Sequence, residues 1–599
     1  MSRLGEQRSR KQASLLVGGL LVFTASAGAI LWLALQCLSQ TGGVFSYALD
    51  DPYIHLSIAR NFALHGVWGI TPFEPASACS SPLWALILSV LIRVFGDWSF
   101  WPLVLGIGCS LAVPLVLYVR LVRSGFHPLP AGLGALAPFA VGPLAVLPFT
   151  GMEHSLQVLL DFLFLFWIWD QLEGVRRKQD SWIGLSLAFL ICLCRFESVF
   201  LVVIPFLVFA FRREWKTSML LALGPIAAIG GFALFSKLMG MPLLPNSLVL
   251  KGNVSHPLTA GWFLNMYLNL RGRSFPLFDL FVLTVGLGFS LRFSRLQEST
   301  RSLQILCLVV VTATVLHCGF ALVGIFYRYE AYLTCLLIFW CVVAIRQWTE
   351  FAKGWSEIPV SQPRWLMAIG AAVLAHLILL PVLWIYQLNA NLIVSIYGVG
   401  LAMLIAMETG PKNAARLSRT FLQTMFPLAL YFIARNRGVP AGIEVSNASR
   451  DIYTQQFQMA RFVNEIHPDG RVVVNDIGAM SYFTKAHIFD LWGLATNSVR
   501  DLKLTDNWKT STMKQEIDRF GPDIIIAYPD WYKKNRAMPS SLIPVATWTI
   551  PPVTTAAKPV VEFWAPSAQA AMEIQKRMRQ FERRLPEQVK VKYLTLPQS

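Results

Sequence analysis

The chain contains 599 residues, of which 55% are hydrophobic and only 14% are charged. Apolar runs repeatedly reach the ~20 residues that a helix needs to cross a bilayer, which excludes an ordinary soluble protein and predicts a polytopic membrane protein. The net charge of +17 does not indicate nucleic-acid binding, because the basic residues form short clusters between apolar runs, where membrane orientation explains them. The nine cysteines have neither a disulfide-framework pattern nor zinc-site spacing.

The first apolar run, about residues 13–38, follows a basic segment and is too long for the core of a signal peptide. We expect it to stay as a membrane anchor with the N-terminus in the cytoplasm, since lysine and arginine favour that side. The next segment, residues 49–84, is then extracytoplasmic and opens with Asp50 and Asp51. One carboxylate could simply stabilise a helix N-terminus. A second one beside hydrocarbon is costly and suggests a role in function.

Two short helices are predicted on the membrane surface after these aspartates. Apolar residues recur at helical spacing from Ile54 while His55 and Arg60 stay polar. The run Pro82–Phe95 is short for a span and contains Arg93, so it is predicted to lie along the surface. With this assignment all basic loop clusters face the cytoplasm, about 13 transmembrane helices are predicted, and the C-terminus is extracytoplasmic. The predicted crossings after the anchor are 98–119, 131–149, 153–170, 181–195, 197–211, 217–236, 276–291, 303–326, 330–346, 365–386, 388–406 and 420–434.

Polar residues near the membrane collect on the predicted extracytoplasmic side. Each has an ordinary explanation alone, such as a local ion pair or a lysine that reaches the headgroups. Their convergence from five separate segments favours one polar vestibule. Cations at this edge of the membrane suit an anionic headgroup, and Arg195, Lys251 and Arg328 are placed to supply them. The vestibule residues are Asp50, Asp51, Glu153, His154, Arg195, Glu197, Asn246, Lys251, Arg328 and Glu330.

The composition becomes polar after about residue 440, and the remainder is long enough for one independent domain. We therefore predict a transmembrane domain at 1–440 and an extracytoplasmic α/β domain at 441–599. Its predicted helices are 449–467, 513–520 and 568–584, and its predicted strands are 472–475, 487–491, 523–528, 544–550 and 559–564.

The motifs DDPYIHLSIARNF, SSPLW, TGMEHSL, CRFES, PNSLVLK and FYRYE occur in this order, followed by VVVNDIGAMSYF and IFDLWGL in the polar domain. Together they resemble the GT-C superfamily of polyprenyl-phosphate-dependent glycosyltransferases, most closely the bacterial arabinofuranosyltransferase type. The chain departs from that family at Cys79 and Ser80, where a tyrosine-threonine pair is common, and at Pro52, where alanine is common. These departures affect the expected acceptor preference more than the expected class of reaction.

The resemblance implies a GT-C-like enzyme of the cell inner (plasma) membrane. It would move a sugar, for example arabinofuranose, from a polyprenyl-phosphate donor to an extracytoplasmic glycan, lipid or protein acceptor. The expected partners are that donor, a glycan or glycolipid acceptor and membrane lipid, with no nucleic acid. A transporter or flippase for a lipid-linked or anionic solute is the alternative, since intramembrane charges also mark ion pathways. The enzyme is favoured because the polar groups lie at one membrane face and no paired half-repeats are evident.

In the family the aspartate of the first extracytoplasmic loop is catalytic, which implies Asp50 or Asp51. We expect Asp51 to deprotonate the acceptor hydroxyl, with Asp50 orienting the acceptor or holding a cation and Glu153 as a further carboxylate; the two aspartates could exchange roles. The sequence indicates no definite cofactor; three carboxylates could hold a divalent cation, although no metal-specific spacing is present, and both an inverting and a retaining course are compatible. The remaining expected substrate-binding residues are His55, His154, Glu197, Asn246 and Glu330.

Two aspartates of the polar domain end or interrupt predicted strands. Asp476 and Asp490 are interpreted as turn and cap residues. The family likeness of their motifs leaves an alternative, in which they and Trp492 contact a glycan.

Overall fold

A computed structural model of the chain describes residues 2–175, 180–251, 259–270, 277–292, 297–324, 326, 328–353 and 439–596. Helices dominate up to residue 353, and the segment from residue 439 onward combines helices with a sheet. This confirms the predicted fold class, an α-helical polytopic membrane protein with a C-terminal α/β domain. The predicted crossings 365–386, 388–406 and 420–434 lie outside the described residues.

Among the described residues, five helices are long and apolar enough to cross a membrane, and several shorter apolar helices accompany them. The helices of the membrane part are α1 (Ser2–Gln40), α2 (Asp51–His65), α3 (Pro82–Phe95), α4 (Trp101–Arg123), α5 (Pro128–Val141), α6 (Leu147–Thr150), α7 (His154–Leu172), α8 (Asp180–Cys194), α9 (Val203–Phe211), α10 (Trp215–Leu238), α11 (Asn246–Lys251), α12 (Ala260–Leu268), α13 (Leu277–Arg292), α14 (Gln297–Phe320) and α15 (Ala331–Lys353).

Two predicted crossings differ from the helices of the structure. The predicted crossing 131–149 is broken between α5 and α6, because Gly142 and Pro143 interrupt the helical hydrogen bonds. The predicted crossing 197–211 begins as a 3₁₀ segment, Phe196–Leu201, before α9. Helix α3 has the predicted bounds and packs against α2 through Trp84 and Leu88, which are buried with Ala59.

The C-terminal domain is built on a six-stranded mixed sheet with strand order β2-β1-β3-β5-β4-β6. The strands β2, β1 and β3 are parallel, and the other neighbouring pairs are antiparallel. The parallel strands are apolar and buried, as expected when helices cover both faces. The elements are α16 (Val439–Ile452), α17 (Gln458–Ile466), β1 (Arg471–Val474), α18 (Gly478–Phe483), β2 (His487–Asp490), α19 (Asn497–Leu504), α20 (Thr510–Phe520), β3 (Ile524–Ala527), β4 (Ile543–Thr549), β5 (Val560–Ala565), α21 (Ala568–Phe581) and β6 (Lys590–Tyr593).

Helix α16 connects the C-terminal domain to the membrane part. Its buried residues Ala441, Val445 and Ala448 belong to the same apolar cluster as Leu33 of α1. A side chain at Gly442 would meet Leu33, since a Cβ atom there would lie 2.7 Å from Leu33 Cδ2. Glycine at this position therefore lets the two helices approach closely.

Candidate active site

A cavity of about 340 Å³ lies among the ends of the membrane helices, and Leu494 of the C-terminal domain forms part of its wall. Most of its lining is apolar and comes from the 3₁₀ segment, α10, α11 and the end of α14. Polar groups of α2, the loop before α3, the CRFES motif and the FYRYE motif line the remainder. These polar residues include Asp51, His55, Ser80, Arg195, Glu197 and Tyr329. The wall of this one cavity is therefore mostly apolar, with a charged part beside the apolar part.

Asp51 is the first residue of α2, and Pro52 follows it at a position where proline favours helix initiation. Residues four apart share one face of a helix, so His55 lines the cavity beside Asp51. The Asp51 carboxylate accepts a hydrogen bond of 2.7 Å from Arg328 Nη2. The side chain of Asp51 is 28% exposed, whereas that of Arg328 is 3% exposed.

The buried guanidinium of Arg328 has unused donors. Its Nη2 also donates to the Tyr329 hydroxyl at 2.9 Å. Among the described residues, Arg328 Nε and Nη1 have no hydrogen-bond partner although both are buried. Such donors are costly to bury unless a ligand or water binds them. Arg328 is therefore the cation of this site best prepared to accept an additional anion.

Arg195 is held between two carboxylates. Its Nη1 donates to Glu153 at 2.9 Å and its Nη2 donates to Glu197 at 2.6 Å. Glu153 has no solvent exposure, whereas Glu197 is partly exposed and lines the cavity. Glu153 does not line the cavity, and it compensates the charge of Arg195 from a buried position.

The two predicted histidines occupy different positions. His55 Nε2 lies 3.4 Å from Ser80 Oγ, and its Nδ1 is buried with no hydrogen-bond partner among the described residues. Burial lowers the pKa of His55, and the carboxylates of Glu153 and Asp51 oppose this shift. The lowered pKa favours the neutral imidazole of His55 at the cavity wall. His154 lies deeper, with Nδ1 3.3 Å from Gln157 Oε1 and its ring edge against Tyr329.

Asp50 is bound by the C-terminal domain. Its two carboxylate oxygens accept hydrogen bonds from the backbone N–H groups of Gly478 at 2.6 Å and Ala479 at 2.7 Å, at the start of α18. A Cβ atom at Gly478 would lie 2.0 Å from the Asp50 carbonyl oxygen. Only glycine allows this approach. We name these contacts of Asp50 with Gly478 and Ala479 the Asp50 clamp.

Further contacts attach α18 to α2. Arg60 donates to the carbonyl oxygens of Tyr482 at 2.8 Å and Ser481 at 3.1 Å. The hydroxyls of Ser57 and Ser481 are 2.9 Å apart. The Tyr482 hydroxyl donates to Asp97 at 2.8 Å. The C-terminal domain therefore holds the helix that begins with Asp51.

A second carboxylate of the C-terminal domain lies near the clamp. Asp476 accepts hydrogen bonds from Gln456 at 2.8 Å and from the Tyr528 hydroxyl at 2.5 Å. Burial, followed by repulsion from Asp476, raises the pKa of Asp50, while the two backbone N–H groups of the clamp oppose the shift. Burial also raises the pKa of Asp476, against the hydrogen bonds from Tyr528 and Gln456. The pair therefore favours retaining a proton.

Among the predicted site residues with described side chains, six do not line the cavity: Asp50, Glu153, His154, Asn246, Arg328 and Glu330. The Asn246 side-chain amide donates to Leu494 at 3.0 Å and Asn497 at 2.9 Å, and its oxygen accepts from Arg500, so it joins α11 to the C-terminal domain. Glu330 is buried and accepts from the Gly324 backbone at 2.9 Å. Lys251 ends α11, and its side chain lies outside the described part of the chain.

Asp490, the second aspartate singled out in the C-terminal domain, closes a turn. Asp490 accepts backbone hydrogen bonds from Trp492 at 2.7 Å and from Ala495 at 2.9 Å. This is the role that the turn interpretation predicts. Burial raises the pKa of Asp490 against these two hydrogen bonds.

Two contributions to the site were missed from the sequence. Tyr329 packs against both guanidinium groups, with its ring centre 5.5 Å from Arg195 and 4.8 Å from Arg328. The sequence signal that could have indicated Tyr329 is its position between Arg328 and Glu330 in the FYRYE motif. Ser81, in the SSPLW motif, donates to the Cys194 carbonyl at 2.7 Å and so attaches that loop to the CRFES motif. No local pattern indicates this contact.

The three carboxylates considered for a cation have separate partners. Asp51 pairs with Arg328, Glu153 with Arg195, and Asp50 with the backbone of α18. Within the described ranges, no group of three or more histidine, cysteine, aspartate or glutamate side chains is arranged to hold a metal ion.

Comparison with known proteins supports the fold. Residues 449–570 match a family described as "Domain of unknown function (DUF8728)", and no curated protein matches the chain. The structure of ArnT from Cupriavidus metallidurans bound to undecaprenyl phosphate is similar, with a TM-score of 0.50, 14% identity, and coverage of 92% of this chain and 98% of ArnT. Its apo state gives a TM-score of 0.48, with 13% identity and coverage of 91% of this chain and 99% of ArnT. The chain thus has an ArnT-like fold over most of its length.

Protonation is expected to control the clamp. Because the pKa values of Asp50 and Asp476 are raised, the contact is most stable when the pair holds a proton, and it weakens as pH rises through the raised values. Hydrogen exchange at residues 478–484, corrected for intrinsic rates, should be faster at about pH 8.5 than at about pH 5.5. Asp476→Asn should reduce this dependence, with β3 as the internal control. Protection that is constant or increases with pH would contradict the assignment.

The Arg195 pairs are expected to support the fold. Arg195→Gln would leave Glu153 buried without a cation, which costs about 3–5 kcal/mol for a buried pair. Thermal unfolding in detergent should show a lowered Tm, and adding Glu153→Gln should restore part of the loss. Arg93→Gln, at an exposed arginine of α3, is the matched control. An unchanged Tm for Arg195→Gln would refute this role.

Proposed function

We propose that the chain is an integral membrane glycosyltransferase that moves a sugar from a polyprenyl-phosphate donor to an acceptor outside the cytoplasm. One observation carries the proposal: a largely apolar cavity reaches a cluster of buried arginines and carboxylates. A lipid-linked sugar needs an apolar surface for its chain and cations for its phosphate. The similar fold of ArnT, whose structure contains undecaprenyl phosphate, supports the same donor class.

Arg328 is the proposed main contact of the donor phosphate. Its Nε and Nη1 donors have no partner among the described residues, whereas both terminal nitrogens of Arg195 are already bound to carboxylates. Arg195 then sets the charge of the cavity wall and orients Glu197. Lys251 follows Ser247 and Leu248, which line the cavity, on the same short helix, and it stays a proposed phosphate contact.

Asp51 is the proposed general base. It lines the cavity and remains partly exposed, while Asp50 is engaged by α18 and Glu153 by Arg195. A carboxylate at this position can orient the acceptor hydroxyl and accept its proton as the glycosidic bond breaks. A donor phosphate that binds Arg328 competes with Asp51 for the guanidinium, which would release the carboxylate toward the acceptor. Donor binding and base availability would then be coupled.

The neutral His55 and the partly exposed Glu197 are the proposed sugar contacts. Both line the cavity, and imidazole and carboxylate groups can bind sugar hydroxyls. Asn246 and Glu330 are better explained as supports, because their side chains do not line the cavity and are bound to other protein groups. The motif resemblance makes arabinofuranose the first donor sugar to test.

The proposed orientation follows from charge. Basic residues cluster at the ends of α4 and α9 that lie away from the candidate active site, among them Arg123 and Arg212. Lysine and arginine favour the cytoplasmic side. The N-terminus is therefore proposed to be cytoplasmic, and the cavity and C-terminal domain extracytoplasmic, in the inner (plasma) membrane.

Reconstituted protein supplied with radiolabelled polyprenyl-phosphate sugars tests this function. Transfer of label to a membrane or glycan acceptor is expected, and Arg328→Gln should raise the donor KM by roughly 10-fold because one charge-assisted contact is lost. Arg93→Gln should leave both kinetic constants unchanged. Solute or lipid movement across the bilayer without transfer of label would refute the enzyme and favour a transporter or flippase.

A further inference from the structure

A second cavity, of about 460 Å³, lies at the other end of the helical bundle. Helix α7 connects the two cavities, since it begins at His154 beside the candidate active site and carries Trp169 and Asp170 of the second cavity near its end. At 1.5 Å per residue these positions are about 24 Å apart along the helix. The two cavities therefore lie near opposite ends of α7, and in a bilayer they would face opposite leaflets.

Three arginines line this second cavity. Arg120 and Arg123 lie in the last turn of α4, and Arg346 lies on α15. Positive charge at a helix C-terminus is favourable, so Arg120 and Arg123 alone are unremarkable at the end of α4. The convergence of all three arginines on one cavity is not explained by that general preference.

The arginine side chains are held in position by specific contacts. The Arg120 guanidinium lies over the Trp169 ring at 4.3 Å, and the Arg346 guanidinium lies over the Phe126 ring at 4.6 Å. Arg346 also donates to the Ser124 carbonyl oxygen. Gly125 has a φ of +83°, and a Cβ atom there would lie 3.0 Å from Arg346 Nη2. The loop after α4 is therefore shaped around this guanidinium.

The Arg120 guanidinium is only partly engaged by the carboxylates of the cavity. Arg120 Nη1 donates to Asp170 at 2.5 Å, but Arg120 Nε is buried with no hydrogen-bond partner among the described residues. Glu173 accepts a hydrogen bond of 2.5 Å from the Trp169 indole nitrogen. The described lining thus contains three arginines and two carboxylates, and one of these carboxylates also accepts from an indole. Arg120 keeps an unused buried donor at this cavity.

Apolar surface leads from the bilayer to this cavity. Val119 shares a helix face with Arg123, four residues later, and Leu163 shares a face with Asp170, seven residues later. Val119 is 44% exposed and Leu163 is 37% exposed. In a membrane these side chains contact acyl chains. A ligand whose phosphate reaches the arginines can therefore keep its chains in the bilayer.

We propose that this cavity binds the headgroup phosphate of an anionic phospholipid in the leaflet opposite the candidate active site. Basic pockets between transmembrane helices suit such headgroups, because arginine forms paired hydrogen bonds with phosphate oxygens. Inorganic phosphate has the same anionic group, but it makes no use of the exposed apolar surface at Val119 and Leu163. This binding is independent of the proposed transferase reaction.

Native mass spectrometry of the purified full-length protein tests the proposal. Titration with phosphatidylglycerol should show one bound lipid, with weaker binding of phosphatidylcholine and of inorganic phosphate. Arg123→Gln and Arg346→Gln should each weaken phosphatidylglycerol binding by roughly 10-fold, since each removes a charge-assisted contact. Arg123 is exposed at the end of its helix, so its substitution should preserve folding, which the Tm of lipid-free protein checks.

The matched control is Arg212→Gln, at a half-buried arginine that ends α9 and does not line the cavity. Unchanged phosphatidylglycerol affinity in this variant, together with the two losses, would support the site. The proposal would be overturned if phosphatidylcholine bound as tightly as phosphatidylglycerol, or if all three variants lost phosphatidylglycerol affinity equally. It would also be overturned if inorganic phosphate bound as tightly as phosphatidylglycerol.

Discussion

The Asp50 clamp is the contact on which the candidate active site depends most. It joins the start of α2 to the start of α18, segments that are 428 positions apart in the chain. Asp51 follows Asp50 directly, so the same contact that docks the C-terminal domain also sets the position of the proposed base. Helix α18 can come this close only because Gly478 has no side chain. Adjacent aspartates therefore have different tasks, one in docking and one toward the cavity.

Charge compensation shapes the remainder of the site. Each buried guanidinium faces carboxylates, since an unpaired charge in a low-dielectric environment is costly. Arg195 has two such partners and is fully engaged, whereas Arg328 has one and retains unused donors. This asymmetry distinguishes a cation that maintains the site from a cation that can receive a phosphate.

Hydrophobic periodicity was sufficient to predict the fold class, the bounds of α3 and most elements of the C-terminal domain. A short run of β-branched residues such as that of Ile524–Ala527 is typical of a buried parallel strand, which is why this strand could be predicted locally. Helix α18 was not predicted, because six residues are too few to show a period. The motif positions also indicated the residues that line the cavity, including Asp51, Arg195 and Glu197.

The division of work among these residues could not be predicted from sequence. Whether Asp50 or Asp51 faces the cavity depends on a backbone contact with a distant domain, and Asn246 is engaged by Leu494 and Asn497 for the same reason. Glu153 and Glu197 are chemically alike in sequence, but only the structure shows which of them is exposed to the cavity. Long-range contacts leave no local pattern.

The central claim is that Asp51 acts on substrate while Asp50 holds the protein together, and single-turnover sugar transfer at saturating donor tests it most directly. Asp51→Asn should retain folding and donor binding but slow transfer by roughly 100-fold or more, since the general base is lost. Asp50→Asn should preserve more transfer and instead weaken protection of residues 478–484. Transfer near the wild-type rate in Asp51→Asn, or a larger loss in Asp50→Asn with its domain contact intact, would contradict the account.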